Sequence, residues 1–390
     1  MEPITTTDAL ARLCERLAVS PYVTVDTEFM RENTYWPLLC LVQLAGPEEA
    51  AAIDPLAPGI DLAPLFALMQ NKAVLKVFHA ARQDVEIFCH LAGAVPTPLF
   101  DTQVAAMVCG FGEQAGYETL ATQLAHAKID KSSRFTDWSR RPLSERQIEY
   151  ALSDVTHLRV VYEKLSRRLA KSGRESWLAE EEAILTDPRT YAVQPDEAWR
   201  RIKTRSAKPR FLAVLMEIAA WREAEAQARD LPRGRLLRDE ALLEIAGDPP
   251  RSVEALGRVR SLSRSMAEGR MGADILAAVQ RALALPAEAL PVPELSPALP
   301  RGIGPLVELL KVLLKAKCEA HDVAQKLVAS TADLESIAAE DEAEVPALRG
   351  WRHEVFGADA LALKAGRLAL AAEKRQVRLV ALPAEPTAQT

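Results

Sequence analysis

The chain contains 390 residues, of which 49% are hydrophobic and 26% are charged, a composition typical of a soluble protein with two or three domains. No apolar run reaches membrane-spanning length, and the opening sequence MEPITTTDAL lacks the basic region and apolar core of a signal peptide. The five cysteines have no CxxC spacing, which argues against structural zinc and a disulfide framework and favours a reducing cytoplasm. The net charge of −6 argues against a protein that coats nucleic acid indiscriminately.

The N-terminal half combines short strands with amphipathic helices and predicts a mixed sheet flanked by helices. Short apolar and β-branched runs predict strands at 22–27, 39–44, 50–54 and 74–78. Periodic apolar residues predict helices at 62–70, 83–92, 101–109, 117–126 and 144–169. The first three strands follow one another closely, which favours a meander.

The C-terminal half, from about residue 207, is rich in alanine and leucine and predicts helices only. A weak internal repeat relates the segment that begins at Ala228 to the segment that begins at Ala320. Each segment predicts a helix, a turn and a capped helix, with Asp239 and Ser330 as the N-caps.

The repeats are separated by a proline-rich stretch. Five prolines lie between Pro286 and Pro300 and indicate a semi-rigid linker. The predicted units are a domain at 1–205, a helical domain at 207–286, a linker at 287–300, a second helical domain at 301–382 and a disordered tail at 383–390.

Acidic residues are the most informative feature of the first domain. Asp26 and Glu28 stand two apart at the end of the first strand, so their side chains share one face of the sheet. Asp84 lies in the first turn of the helix at 83–92. Each of these features is common by itself, since a strand end often carries acids and an acid in a first turn complements the helix dipole.

A third element lies on the helix at 144–169. Ser144 and Gln147 form a capping box that opens this helix, and Tyr150 and Asp154 are four apart on one of its faces. Carboxylates that converge repel one another unless divalent cations bind them, and Mg²⁺ and Mn²⁺ prefer such hard oxygen ligands. The acids together therefore predict a two-metal site that cleaves phosphodiesters.

The order D-x-E, D, Y-x₃-D resembles the tyrosine subgroup of the DEDD exonuclease superfamily, since Glu149 stands where the histidine subgroup has its histidine. The segments VDTEFMRENTYWP, VFHAARQDVEIF, FDTQVAAMVCG and IDKSSRFTDWSRRPLSERQIEYALSDVTHL are similar to the ribonuclease D family. The resemblance implies an α/β, ribonuclease H-like mixed sheet flanked by helices, followed by two all-α HRDC-like domains, the second degenerate.

The resemblance also implies roles for the acids and the tyrosine. Asp26, Glu28 and Asp154 would hold one divalent cation, Mg²⁺ or Mn²⁺, and Asp26 with Asp84 would hold a second. Tyr150 is a poor general base because an ordinary tyrosine has a pKa near 10, so it would orient the attacking water. Further residues are predicted to contact substrate: Thr27, Phe29, Met30, His79, Lys131, Arg134 and Arg141. Core packing is an equal alternative for Phe29 and Met30, and a structural role is the alternative for His79.

The implied function is a metal-dependent 3′→5′ exoribonuclease that trims RNA, including tRNA precursors, and releases nucleoside 5′-monophosphates. A DNA exonuclease of proofreading type is one alternative, because the same residues perform the same reaction on DNA. A nucleic-acid-binding scaffold without activity is another, disfavoured because all five site residues are present. No membrane partner is expected. The HRDC-like domains fit RNA binding and protein binding alike, and the sequence identifies no protein partner.

Overall fold

The computed structural model of the protein describes residues 2–130, 133, 136–260, 262–292 and 299–383. Lys131 and Arg134, much of the predicted linker and almost all of the predicted tail lie outside these residues. Within the described ranges, no helix combines the length and the apolar character needed to cross a membrane.

The N-terminal domain is built on a five-stranded sheet in the order β3-β2-β1-β4-β5. The strands are β1 Tyr22–Met30, β2 Leu38–Ala45, β3 Ala50–Ile53, β4 Leu75–Phe78 and β5 Leu99–Asp101. Strands β1, β2 and β3 are antiparallel neighbours, whereas β1, β4 and β5 are parallel neighbours. The predicted mixed sheet is therefore confirmed, with β5 as an addition that its shortness hid.

Helices cover the sheet and follow its strands. They are α1 Thr7–Leu17, α2 Ala63–Gln70, α3 Arg82–Ala92, α4 Thr102–Val108, α5 Tyr117–Leu120, α6 Glu145–Ser172 and α7 Glu175–Thr186. Two of them, α1 and α7, were not predicted. The long helix α6 crosses β1, β2 and β3 with a buried apolar stripe that includes Ile148, Val155 and Leu158. Thr24 of β1 ties the two elements together, because its buried hydroxyl donates to the Val155 carbonyl at 2.8 Å.

The first helical domain contains α8 Pro209–Arg229, α9 Arg233–Leu236, α10 Asp239–Gly247, α11 Val253–Leu256, α12 Arg264–Glu268 and α13 Arg270–Ala284. Its apolar core also includes Ala198, within the short 3₁₀ helix Pro195–Arg201, and Ile202, which follows that helix. The core therefore begins upstream of the predicted start at residue 207. The N-cap of α10 is Arg238 rather than the predicted Asp239, which is the first residue of the helix.

The second helical domain repeats the start of the first. It contains α14 Gly304–His321, α15 Gln325–Val328, α16 Thr331–Ala339, α17 Gly350–Arg352 and α18 Ala358–Lys364. Asp230 and Asp322 both end the long first helix of their repeat in the left-handed conformation. A four-residue and a nine-residue helix then follow in each repeat. Ser330 caps α16 in a capping box with Asp333, as the sequence predicts for its N-cap.

The end of the second helical domain is not helical. A β-hairpin of β6 Leu368–Glu373 and β7 Gln376–Ala381 follows α18. Leu368, Leu370 and Leu379 pack against the helical core, while residues 371–378 are exposed. The all-α expectation is thus corrected for this segment.

The segment that follows β1 connects the N-terminal domain to the first helical domain. Tyr35 donates its hydroxyl hydrogen to Glu223, and the guanidinium of Arg233 lies 4.7 Å from the centre of the Tyr35 ring. The backbone N–H groups of Tyr35 and Trp36 both donate to the Asp230 carboxylate, at 2.9 Å each. The strand that carries Asp26 and Glu28 therefore continues directly into a domain contact.

Candidate active site

Strand β1 and helix α6 bring three predicted carboxylates together. Asp26 and Glu28 lie two apart on β1, and Asp154 lies on the part of α6 that Thr24 holds against this strand. One carboxylate oxygen of each residue lies within 4.8 Å of the other two. Such a cluster of hard oxygen donors fits a divalent cation.

Helix α6 begins where its sequence predicts. The Ser144 side chain accepts a hydrogen bond from the Gln147 backbone N–H at 3.3 Å, and the Gln147 side chain accepts one from the Ser144 N–H at 3.0 Å. This capping box fixes the register of the first turns, so that Tyr150 and Asp154 share a face. The phenol of Tyr150 donates a hydrogen bond to Asp154.

Asp84, on helix α3, adjoins this cluster through Thr27 of β1. It occupies the first turn of α3, is 7% exposed, and accepts a hydrogen bond from the Thr27 hydroxyl. Burial and the nearby charge of Asp26 hold the pKa of Asp84 well above its ordinary value. The fourth acid therefore interacts electrostatically with Asp26, although it stands outside the group of three whose oxygens lie within 4.8 Å of one another.

A cavity of about 590 Å³ opens over the cluster. Both acids of β1, Asp154 and Tyr150 line it. Residues of other segments line it too: His79, Ala80, Gln103, Tyr117, Thr119 and Ile129. Tyr117 was not predicted as a site residue. Its hydroxyl donates to the Asp154 carbonyl, and its ring lies 5.6 Å from the ring of His79.

Burial controls the protonation of the site. It raises the pKa of Asp26 to about 6. Burial, followed by the charges of Asp154, Glu28 and Asp26, raises the pKa of Tyr150 above its ordinary value, so the phenol stays protonated at neutral pH. Burial lowers the pKa of His79 to about 4, so its ring is neutral there, and its Nδ1 lies 3.0 Å from the Thr102 hydroxyl.

The other residues predicted to contact substrate have different surroundings. Thr27 lines the cavity but directs its hydroxyl to Asp84. Phe29 and Met30 are partly buried, and each packs against an apolar cluster of the domain. These contacts agree with core packing, the alternative to substrate contact for these two residues. Lys131 and Arg134 lie outside the described residues.

Arg141 differs from its prediction as a phosphate contact. Its Nε and Nη2 donate to the Asp54 carboxylate at 2.7 and 2.6 Å. Its remaining donors reach the carbonyl groups of Trp138, Arg140 and Cys40. Because these bonds occupy the whole guanidinium fork, Arg141 braces the loop before α6 and has no donor left for a phosphate.

Comparisons with known proteins agree with this fold. Residues 1–170 match the family model described as a 3′-5′ exonuclease, and residues 211–279 match the HRDC domain model. The trypanosomal RRP6 catalytic core, at 24% identity and a TM-score of 0.54, shares the fold. The class of the protein is therefore a 3′-5′ exonuclease followed by a helical HRDC domain.

Full-length relatives define the family more narrowly. The chain is 55% identical over 377 residues to ribonuclease D of Gluconacetobacter diazotrophicus, which covers 97% of this chain and 96% of the relative. The crystal structure of Escherichia coli RNase D, described as an exoribonuclease involved in structured RNA processing, matches with a TM-score of 0.80 and 34% identity over 94% of this chain and 98% of that one. The chain belongs to the ribonuclease D family and is a 3′-5′ exoribonuclease. The predicted family, fold class and enzyme class are confirmed.

Proposed function

We propose that Asp26, Glu28, Asp84, Tyr150 and Asp154 form the catalytic site of this exoribonuclease, with two divalent cations, Mg²⁺ or Mn²⁺, as cofactors. The observation that carries the proposal is the convergence of oxygens from Asp26, Glu28 and Asp154 within 4.8 Å. These three residues would hold one cation, and Asp26 with Asp84 would hold the other. Bound there, the cations would acidify a water and neutralise charge on the scissile phosphate.

The protein's own groups position the reaction. Tyr150 keeps its proton because its pKa is raised, so its hydroxyl group orients the attacking water by hydrogen bonding and does not act as a base. The neutral ring of His79 and the ring of Tyr117 also line the cavity. The cavity volume of about 590 Å³ lies within the range of about 300–1,000 Å³ typical of small-ligand sites, which suits one terminal nucleotide. Water attacks the 5′ phosphate of this nucleotide, and the 3′ oxygen of the preceding nucleotide leaves. The product is a nucleoside 5′-monophosphate.

The proposed substrates are structured RNAs with 3′ extensions, including tRNA precursors. Support comes from the described role of the E. coli relative in structured RNA processing. The cytoplasm is the proposed place of action, since all five cysteines are free thiols, as in proteins of a reducing compartment. Lys131 and Arg134, which precede α6 in the sequence, remain proposed phosphate contacts.

The test is product analysis on a 3′-extended tRNA with Mg²⁺ or Mn²⁺, with and without chelator. We expect successive 5′-mononucleotides from the 3′ end, and no products with chelator. Asp154→Asn should abolish the reaction, whereas Glu149→Gln, an exposed acid on the same helix, should not change it. Full activity of Asp154→Asn, or activity that withstands the chelator, would refute the site.

A further inference from the structure

We propose that Asp101 is a positioning residue of the active site, because its carboxylate fixes the turn that presents His79 and Asp84. Asp101 ends β5, the strand next to β4, and so lies beside the chain that leads from β4 into α3. The inference rests on the proposed function, since it takes Asp84 as a metal ligand.

The turn between β4 and α3 depends on an acceptor from outside itself. Ala80 has a φ of 56°, in the left-handed region that side chains other than glycine rarely adopt. Ala81, the N-cap of α3, provides no side-chain hydrogen bond to its helix. Asp101 supplies the missing acceptors, because its Oδ1 accepts from the Ala80 N–H and its Oδ2 from the Ala81 N–H, both at 2.9 Å. Asp84 follows within the first turn of the helix that starts there.

Thr102, which follows Asp101 as the first residue of α4, contacts the same turn. The buried hydroxyl of Thr102 donates to the Phe78 carbonyl at 2.9 Å and lies 3.0 Å from Nδ1 of His79. Asp101 and Thr102 together therefore contact each of the four residues 78–81, which lead from the end of β4 to the N-cap of α3. His79 lines the cavity and Asp84 adjoins the carboxylate cluster, so a shift of this turn would move both.

Asp101 is itself held rigidly. It is 3% exposed, and its Oδ1 also accepts from the Gln103 N–H at 2.8 Å, which makes it the N-cap of α4. Its own N–H donates to the buried carboxylate of Glu182 on α7. The other face of α7 meets the second helical domain, where Trp177 stacks on Trp351 at 4.3 Å. Helix α7 thus connects Asp101 to the packing of the second helical domain.

Two substitutions separate the functions of Asp101. Asp101→Ser keeps a good N-cap for α4, but its shorter side chain cannot reach Ala80 and Ala81. Asp101→Asn keeps the size but replaces one acceptor oxygen by an NH₂ group, which cannot accept from a backbone N–H. Asp61→Asn is the matched control, because Asp61 accepts from the Ala63 N–H at 2.9 Å at the exposed start of α2.

The experiment measures kcat and KM on a short oligoribonucleotide, Mn²⁺ binding by calorimetry, and thermal unfolding of the full chain. For both Asp101 variants we expect kcat to fall about tenfold to a hundredfold, the scale of a misplacement near 1 Å, with KM changed by less than about twofold. Mn²⁺ affinity should fall about tenfold, because outer-shell partners of metal ligands have effects of this size. The Asp61 control should match the wild type.

The outcomes are distinguishable. If the Asp101 variants match the wild type in kcat and Mn²⁺ binding while Asp84→Asn is inactive, the positioning role is overturned and the proposed function stands. If Asp84→Asn is fully active, the proposed function itself fails. A loss of kcat that equals the unfolded fraction of each Asp101 variant would reduce Asp101 to a stabilising residue and also overturn the inference.

Discussion

The hydroxyl of Thr27 donates a hydrogen bond to the carboxylate of Asp84, although the two residues are 57 positions apart. Thr27 is the residue between Asp26 and Glu28 on β1, so one short stretch of strand both supplies two acids and orients a third. This relationship makes Thr27 a structural partner of the proposed metal ligands. Its predicted role as a substrate contact is not needed to explain its position.

Thr27→Val should weaken catalysis while it keeps the shape of the side chain. A hydrogen bond to a charged group contributes about 1.5–3 kcal/mol, so we expect a loss in rate of about tenfold to a hundredfold. The measurement is single-turnover hydrolysis of a short RNA as the concentration of Mn²⁺ is varied. Thr190→Val is the control, because its hydroxyl bonds a backbone carbonyl in an exposed turn. Equal rates for the Thr27 variant and the control would show that this hydrogen bond does not matter for the reaction.

The effect of divalent cations on stability should depend on pH. The pKa of Asp26 in the folded, metal-free protein is raised to about 6, so its proton stabilises the fold. That stabilisation is present below the unfolded pKa of about 3.9 and is lost as pH rises through about 6. Cation binding must displace this proton, so Mn²⁺ should raise the Tm more at about pH 7.5 than at about pH 5.

The measurement is thermal unfolding with and without Mn²⁺ at both pH values. Asp26→Asn removes the titrating group, so the shift in Tm caused by Mn²⁺ should no longer differ between the two pH values. A shift in Tm that is the same at both pH values for the wild type would contradict the assignment of Asp26 as a ligand.

Asp154→Asn and Tyr150→Phe should differ in severity. The first removes a charged ligand, and we expect no measurable turnover. The second removes the hydrogen bond of the phenol to Asp154 and its contact with the attacking water, and we expect a loss of about tenfold to a hundredfold. Single-turnover hydrolysis at saturating enzyme measures both. Equal and severe losses would mean that Tyr150 does more than orient water.

Asp230 should control the docking of the segment after β1. Its carboxylate accepts from the N–H groups of Tyr35 and Trp36, and its backbone is left-handed with a φ of 49°. Asp230→Gly keeps the backbone conformation but removes the acceptor, whereas Asp230→Asn keeps both. We therefore expect faster tryptic cleavage at Arg31 in the glycine variant and wild-type cleavage in the asparagine variant. If both variants resist cleavage at Arg31 as the wild type does, the segment is held by the contact of Tyr35 with Glu223 and Arg233 and not by Asp230.

The site was largely predictable because its residues occupy regular elements. Strand alternation predicts the shared face of Asp26 and Glu28, and the capping box at Ser144 sets the register of Tyr150 and Asp154. The role of Arg141 was not predictable in this way, because its partner Asp54 is 87 residues away in sequence. An arginine in a basic segment looks the same in the sequence whether its side chain contacts a phosphate or a buried carboxylate.

Other features lacked a local signal. Strand β5 has three residues, too few for a periodic pattern. Asp101 supports a turn on a neighbouring strand, a contact that only the sheet order creates. The hairpin of β6 and β7 turns through Lys374 and Arg375, without the glycine or asparagine that marks most tight hairpins.

The central claim, a pair of cation sites made by four carboxylates, is tested most directly by anomalous diffraction from crystals of the full chain soaked in Mn²⁺. The account predicts two peaks about 3.5–4 Å apart, one among Asp26, Glu28 and Asp154 and the other between Asp26 and Asp84. Both peaks should disappear in crystals of Asp26→Asn. Mn²⁺ bound elsewhere, with no peak among these carboxylates at saturating concentration, would contradict it.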